Sequence, residues 1–395
     1  MSPPLALDPY LRDWLDLGLR MLHVNAAIAW IGTSFYFVLL DQSLRPPKRR
    51  DDAEAGVGGE LWEVHGGGFY HVQKYRVAPP ALPEHLAWFK WEAYTTWLSG
   101  FSLLVVLYYV DAKSNLVDPS VADLSTATAI ILSVAGLVAA WLAYDVLCRA
   151  LGRRELVLAA AIVGLTTLAA WGASELFAAR AAALQVGAML GTIMAANVFF
   201  SIIPAHWELI RAKEARREPD PAPALAAKQR SVHNNYLTLP VLLTMLAGHF
   251  SFVYTTGHAW LVLVVLMLLG AAVRLFFNLR HAGRTHWWIP AAVAVTGVVL
   301  AIAIRPDEES AAETPSQVAQ GRNVFLSAGC AGCHTLTDAG STGNVGPNLD
   351  SAKPSRALVL DRVRNGKGAM PSFRSRLSDA EIEAVAAYVA TVSRK

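Results

Sequence analysis

The sequence predicts an all-α protein: a polytopic membrane bundle of eight transmembrane helices followed by a small soluble helical domain. Three observations carry this. Only 16% of the residues are charged and 54% are hydrophobic, against about 25% charged in a soluble chain. Eight apolar runs lie near 16–42, 91–110, 126–148, 155–177, 181–209, 232–254, 259–280 and 287–304, each close to the roughly 20 residues that cross a bilayer. The apolar character stops at Arg305, and the rest of the chain is polar.

The spans therefore fill a membrane domain over 1–304, followed by an acidic, Pro/Ala/Ser-containing linker at 305–316 and a soluble domain at 317–395. The first apolar run follows Arg12 and Asp13 and is too long for a signal peptide, so no cleaved leader is expected. Connections one, three, five and seven hold nearly all the loop cations, among them Arg45, Lys74, Arg153, Arg211, Lys228 and Arg284. The even connections hold only Lys113 and Arg180. Positive segments stay inside, so both termini and the soluble domain are expected on the periplasmic side of a bacterial inner membrane, with the lipid bilayer as a partner. A net charge of +3 gives nucleic acid no purchase.

The soluble domain carries Cys330-Ala331-Gly332-Cys333-His334, a C-x-x-C-H haem-attachment motif. Two thiols add to the two vinyl groups of one porphyrin, and His334 ligates the iron. Gly346-Pro347-Asn348-Leu349 follows, and the Pro347 carbonyl is placed to hold the Nδ1–H of His334. Met370 in Gly368-Ala369-Met370-Pro371 is the natural sixth ligand. Ser378-x-x-Glu381 reads as a capping box opening a last helix. These features resemble class I cytochromes c, in which a first helix (Gly321, Phe325) crosses the last (Tyr388).

In the membrane domain, polar residues within spans are costly and therefore informative. Arg274, Asn278 and His281 share one helix face, as do His23, Trp30, Ser34 and Asp41. Glu92 and Asp145 are candidate counter-charges, and the lone Cys148 is expected to pack. Three longer segments stand out: Gly59-Glu60-Leu61-Trp62-Glu63-Val64-His65-Gly66-Gly67-Gly68-Phe69-Tyr70-His71-Val72-Gln73-Lys74-Tyr75, Ala227-Lys228-Gln229-Arg230-Ser231-Val232-His233-Asn234-Asn235-Tyr236, and Phe276-Phe277-Asn278-Leu279-Arg280-His281. With Leu22-His23-Val24 and Ala29-Trp30-Ile31-Gly32, they resemble the bacterial integral-membrane, cytochrome c-linked urate oxidases (urate hydroxylases). The resemblance implies oxidation of urate to 5-hydroxyisourate, with electrons passing to cytochrome c or a terminal oxidase of the respiratory chain and no hydrogen peroxide formed.

All three segments lie on the cytoplasmic side by the charge count. Urate is a planar anion whose edge suits guanidinium and amide groups. His65, Gln73, Gln229, Arg230, Asn235, Arg274 and His281 are the candidate binding residues. His71, His233 and Lys74 are the candidate proton acceptors and water-positioning groups. A cytoplasmic substrate and a periplasmic haem are separated by roughly 30 Å of hydrocarbon, so an intermediate carrier is expected. A haem b between His23 and His249 is the candidate, at depths of roughly 10 and 8 Å below the outer face at about 1.5 Å per residue. The first-helix motif also resembles that of membrane protoporphyrinogen oxidases. The competing reading is a cytochrome that relays electrons from quinol to a periplasmic acceptor. A transporter would show inverted repeats and broken helices.

Overall fold

The computed structural model describes residues 8–250, 253, 254, 256, 258–305 and 315–394. The chain divides into two compact units, Met1–Ala301 and Ile302–Lys395. The first opens with α1, Pro9–Ser43, capped by the Asp8 carboxylate on the Leu11 N–H, with a proline in the first turn. Those start signals place the helix end at Pro9 rather than near 16. A short α2 (Arg50–Glu54) leads into an antiparallel hairpin of β1 (Val57–His65) and β2 (Gly68–Tyr75).

The hairpin adds a short two-stranded element to the all-α architecture. Gly66 and Gly67 have φ of +59° and +82° and form the two-residue connection. Two successive positive φ values suit glycine, and such turns match the twist of paired strands. Glu60, Trp62 and Val64 then share one face with their partners Gln73, His71 and Phe69.

Next come α3 (Trp91–Leu104), extended by a π-helical turn at Val105–Tyr109, and α4 (Ala112–Asn115). They are followed by α5 (Thr126–Leu151), α6 (Glu155–Leu176), α7 (Ala179–Asn197), a second π-helical turn at Val198–Ile202, and α8 (Ile203–Glu214). The unit closes with α9 (Pro221–Ala247), α10 (Ala259–His281) and α11 (Trp288–Ala303). Among the described residues, five helices are long and apolar enough to cross a membrane: Tyr10–Ser43, Thr126–Leu151, Glu155–Leu176, Ala179–Glu214 and Ala259–His281. The other three predicted spans are also helical, but shorter or more polar. The predicted 232–254 run is shifted: the Asp220 cap and Pro221 start α9 early, and the helix ends at Ala247.

α7 packs against α5, α6 and α9, while α9 also packs on α10 and α1 on α3. Small residues on α7, including Ala181, Ala182, Ala183 and Gly187, let these helices approach. Pro240 interrupts the α9 hydrogen-bond ladder, and Gly270 of α10 sits against it, where a Cβ would come within 3.4 Å of the Pro240 nitrogen. Ile131, Leu156, Leu168 and Val295 face outward, an apolar surface suited to lipid.

The second unit contains α12 (Pro315–Ser327), the short strands β3 (Thr335–Leu336) and β4 (Ser341–Thr342), α13 (Leu349–Ala352), α14 (Arg356–Asn365) and α15 (Asp379–Val392). α12 crosses α15 at Gly321, where a Cβ would lie 2.0 Å from the Ala384 carbonyl oxygen. Phe325 and Tyr388 meet edge to face beside it, 5.9 Å apart. Ser378 and Glu381 form the full capping box of α15. Of the predicted linker, 306–314 lie outside the described residues.

Candidate functional site

The haem-attachment segment is built around His334. Its Nδ1 lies 2.9 Å from the Pro347 carbonyl oxygen. A carbonyl only accepts, so Nδ1 carries the proton and Nε2 is left with a free lone pair. Gly346 forms the cradle for this ring: a Cβ there would come 2.4 Å from His334 Cε1. Cys330 and Met370 pack against the core of Phe325, Ile382 and Tyr388, and burial pushes the Cys330 thiol up to about 11. Two thiols, an oriented imidazole and a nearby thioether fit a covalently attached haem c.

The polar groups of the first unit form two adjoining layers on α9. In one, Arg230 pairs with Asp145 at 2.7 Å and lies over the Tyr144 ring. Asn197, the last residue before a π-helical turn, donates to the Tyr144 oxygen at 3.0 Å and to Asn234 at 2.9 Å. With its oxygen accepting from Asn197, Tyr144 is free to donate to His233 Nδ1, 2.8 Å away. That leaves the His233 proton on Nε2. The lone Cys148 is 3.9 Å from the same Nδ1.

In the second layer Asn235 Oδ1 accepts from the Arg274 guanidinium at 3.0 and 3.2 Å and from Asn278 at 3.0 Å. Arg274 also donates to Asn278 at 2.8 Å. Arg274 is 4% exposed, and no carboxylate among the described residues pairs with it. Asn235 Nδ2 and His281 Nδ1 are buried without a hydrogen-bond partner among the described residues. An uncompensated guanidinium, an orphan amide donor and an orphan imidazole nitrogen thus belong to one neighbourhood. Native proteins leave few such groups unsatisfied, and together they suit a planar anion.

The hairpin carries the third group. His71 donates to Glu60 at 2.9 Å and stacks on Trp62, with centroids 4.2 Å apart and planes at 9°. The Lys48 backbone N–H, then His71, holds the Glu60 carboxyl below its ordinary range. Lys74 pairs with Asp41, and Tyr36 donates to Glu63 at 2.6 Å. The hairpin's side-chain ties therefore run to α1. The same helix places Phe35 beneath Arg274. Six residues separate Phe35 from Asp41, about 9 Å along the axis.

The ten predicted substrate-side residues are thus divided. Asn235, Arg274 and His281 come together, with His233 on the neighbouring layer of α9. Gln229 is committed to the Gly152 carbonyl at 2.8 Å, which ties α9 to the end of α5, and Arg230 is committed to Asp145. His71 and Lys74 sit on the hairpin with half-buried Gln73, while His65 is exposed beside the glycine turn. Among the proposed counter-charges, Asp145 is one, but Glu92 Oε2 is buried and unpartnered. Glu60, Trp62 and Asn234 stand in the prominent sequence segments without a role assigned to them, and Tyr144 and Asn197 are not singled out in the sequence. Asn197, a polar residue deep in an apolar run, carried the signal that would have found it.

His23 and His249 line one cavity of about 320 Å³ between α1, α3, α7 and α9. His249 is not on the helix, as predicted, but two residues beyond its end.

Residues 9–305 match the family model described as urate oxidase N-terminal, and residues 316–389 match cytochrome c oxidase, cbb3-type, subunit III. The tail is 40% identical over 84 residues to cytochrome c6 of a Synechococcus species, covering 20% of this chain and 74% of that protein. It is 37% identical over 86 residues to cytochrome c6 of Leptolyngbya boryana, covering 20% and 98%. Among solved structures, the c-type cytochrome SorU from Sinorhizobium meliloti is 49% identical, covers 21% of this chain and 97% of its own, and has a TM-score of 0.20. Matched over most of its length, the chain belongs to the urate oxidase N-terminal family, and with a cytochrome c domain at its end it is a cytochrome-linked oxidoreductase.

Proposed function

We propose that this protein oxidises urate to 5-hydroxyisourate and sends the electrons out through its haem c. The balance is urate plus water giving 5-hydroxyisourate, two protons and two electrons, with no hydrogen peroxide formed. The observation that carries the reading is the buried Arg274, whose partners among the described residues are all neutral and which stands among orphaned polar groups in the unit that matches the urate oxidase family.

Arg274 and Asn235 bind the anionic edge of urate, and an anion there supplies the charge that Arg274 lacks. His233, its Nδ1 occupied by Tyr144, donates from Nε2 to a urate carbonyl and so orients the ring. His71 donates Nε2–H to Glu60 and keeps Nδ1 as the base that takes a proton from the attacking water, with the carboxylate stabilising the imidazolium that forms. Lys74 and Arg230, each held by an aspartate, are positioning residues. His65, Gln73 and Gln229 complete the cytoplasmic face, and His281 offers its free nitrogen beside Arg274. Cys330, Cys333, His334 and Met370 would hold a haem c, which would supply a one-electron iron couple.

In this reading the chain crosses a bacterial inner membrane eight times, with both ends and the cytochrome domain periplasmic. The acceptor is a soluble cytochrome c or a terminal oxidase. The test is anaerobic addition of urate to the oxidised purified protein. Reduction of the c-type band, with half a urate consumed per electron, is expected. A band that stays oxidised with urate but is reduced by quinol would replace this reading with the quinol relay.

A further inference from the structure

We propose that the cavity lined by His23 and His249 holds one non-covalent b-type haem, with His23 Nε2 as an iron ligand and Arg20 and Arg180 receiving the two propionates. Its place as the carrier between urate and haem c rests on the reading above; the site itself does not.

His23 Nδ1 lies 2.9 Å from the Thr96 carbonyl oxygen and 3.2 Å from Ser99 Oγ. The carbonyl accepts only, and the Ser99 hydroxyl donates to Thr95 at 2.6 Å. The ring proton is therefore on Nδ1, and Nε2 presents a bare lone pair. No described residue hydrogen-bonds to that nitrogen. This is how metal-binding histidines are prepared: one nitrogen fixed by a backbone acceptor, the other open. The ring is also locked in place. A Cβ on Gly100 would stand 2.7 Å from His23 Cε1, so α3 has no side chain where the imidazole lies.

The cavity's own chemistry selects the ligand. Its volume of about 320 Å³ is at the low end of the roughly 300–1,000 Å³ of cofactor sites. Its walls are mostly apolar, including Trp30. Two arginines, Arg20 and Arg180, lie on its lining, and no Asp or Glu does. Arg20 shares its charge with Asp16, whereas Arg180 pairs with no carboxylate among the described residues. An apolar slot with two cations, a metal-ready imidazole and a second histidine fits a planar macrocycle carrying two carboxylates and an iron. A quinone has apolar bulk but no anionic arms, so it leaves Arg180 unanswered. His249 follows the C-terminal end of α9, and Arg180 lies in the first turn of α7. The propionate edge then belongs at the mouth of the cavity that these helix ends form. The iron exchanges one electron at a time between ferric and ferrous states, so each urate requires two passages.

The test uses the full-length purified protein, expressed with haem supplied. Acid–acetone extraction followed by a pyridine haemochrome spectrum should give about one extractable b-type haem per covalent c-type haem. His23→Ala should lose the extractable haem at least tenfold while the covalent haem stays. Arg20→Gln combined with Arg180→Gln should lower its occupancy several-fold. Absence of extractable haem, quinone extracted in its place, or undiminished b-type haem in His23→Ala overturns the site. Urate separates the two readings. If b-type haem is present and urate reduces neither haem, the urate reading fails and the site stands. If urate reduces haem c in a protein without b-type haem, the site fails and the urate reading stands.

Discussion

The Arg274 guanidinium carbon lies 3.8 Å from the centre of the Phe35 ring, which joins α10 to α1 at the level of the amides of Asn235 and Asn278. Aromatic faces attract cations, and two amide oxygens accept from Nε and Nη2. None of these partners brings a negative charge.

Arg274→Lys keeps the charge but loses the planar fork. The urate-driven rate of haem c reduction should fall about 100-fold in kcat/KM, as expected from the loss of about two charge-assisted hydrogen bonds. Haem c content should be unchanged. A wild-type rate in this variant removes Arg274 from the binding site.

His71→Ala should lower turnover by about 10²- to 10⁴-fold, the range of one general base. Glu60 adds a pH signature. Its carboxyl titrates below its ordinary range, so its hold on His71 is complete above that range and disappears as pH falls through the lowered value. Glu60→Gln should lose this support at every pH, with an acid limb of the rate profile that no longer matches wild type. Superimposable profiles would separate Glu60 from the chemistry.

Cys330→Ala with Cys333→Ala should yield an inserted chain with no covalent haem on a denaturing gel. Urate-dependent oxygen uptake by membranes should vanish. Uptake at the wild-type level would mean that electrons leave by another route.

Gly321→Ala places a methyl against the Ala384 carbonyl at the α12–α15 crossing. A destabilisation of about 1–3 kcal/mol is expected, as for overpacked cores. It would be read as a lower midpoint for thermal loss of the c-type spectrum. An unchanged midpoint would show that the helices part easily there.

The helical segments and the haem c motif were legible in the sequence because both are local: apolar runs and a fixed Cys-Cys-His spacing need no knowledge of tertiary contacts. Even the bond from His334 to Pro347 followed from that local chemistry. The hairpin was legible too, since Gly66 and Gly67 separate two alternating runs, but the helical background masked it. The division of the cations at the helix ends was not. Whether Arg230 or Arg274 is answered by a carboxylate depends on which residue α5 brings opposite it, and Asp145 reaches only the first. Likewise, nothing local distinguishes the Lys74 that pairs with Asp41 from a free ammonium.

One helix carries both ends of the proposed path. α9 bears His233, Asn234 and Asn235 near its middle, then Pro240, and then Val241, Leu242 and Met245 on the wall of the histidine-lined cavity. An α-helix turns about 100° and rises 1.5 Å per residue. A single inserted or deleted residue between Asn235 and Pro240 would therefore swing one set of side chains about a quarter turn away from the other. Length variation among relatives should then be confined to the loops, and the count of residues along this part of α9 should be as fixed as the residues themselves.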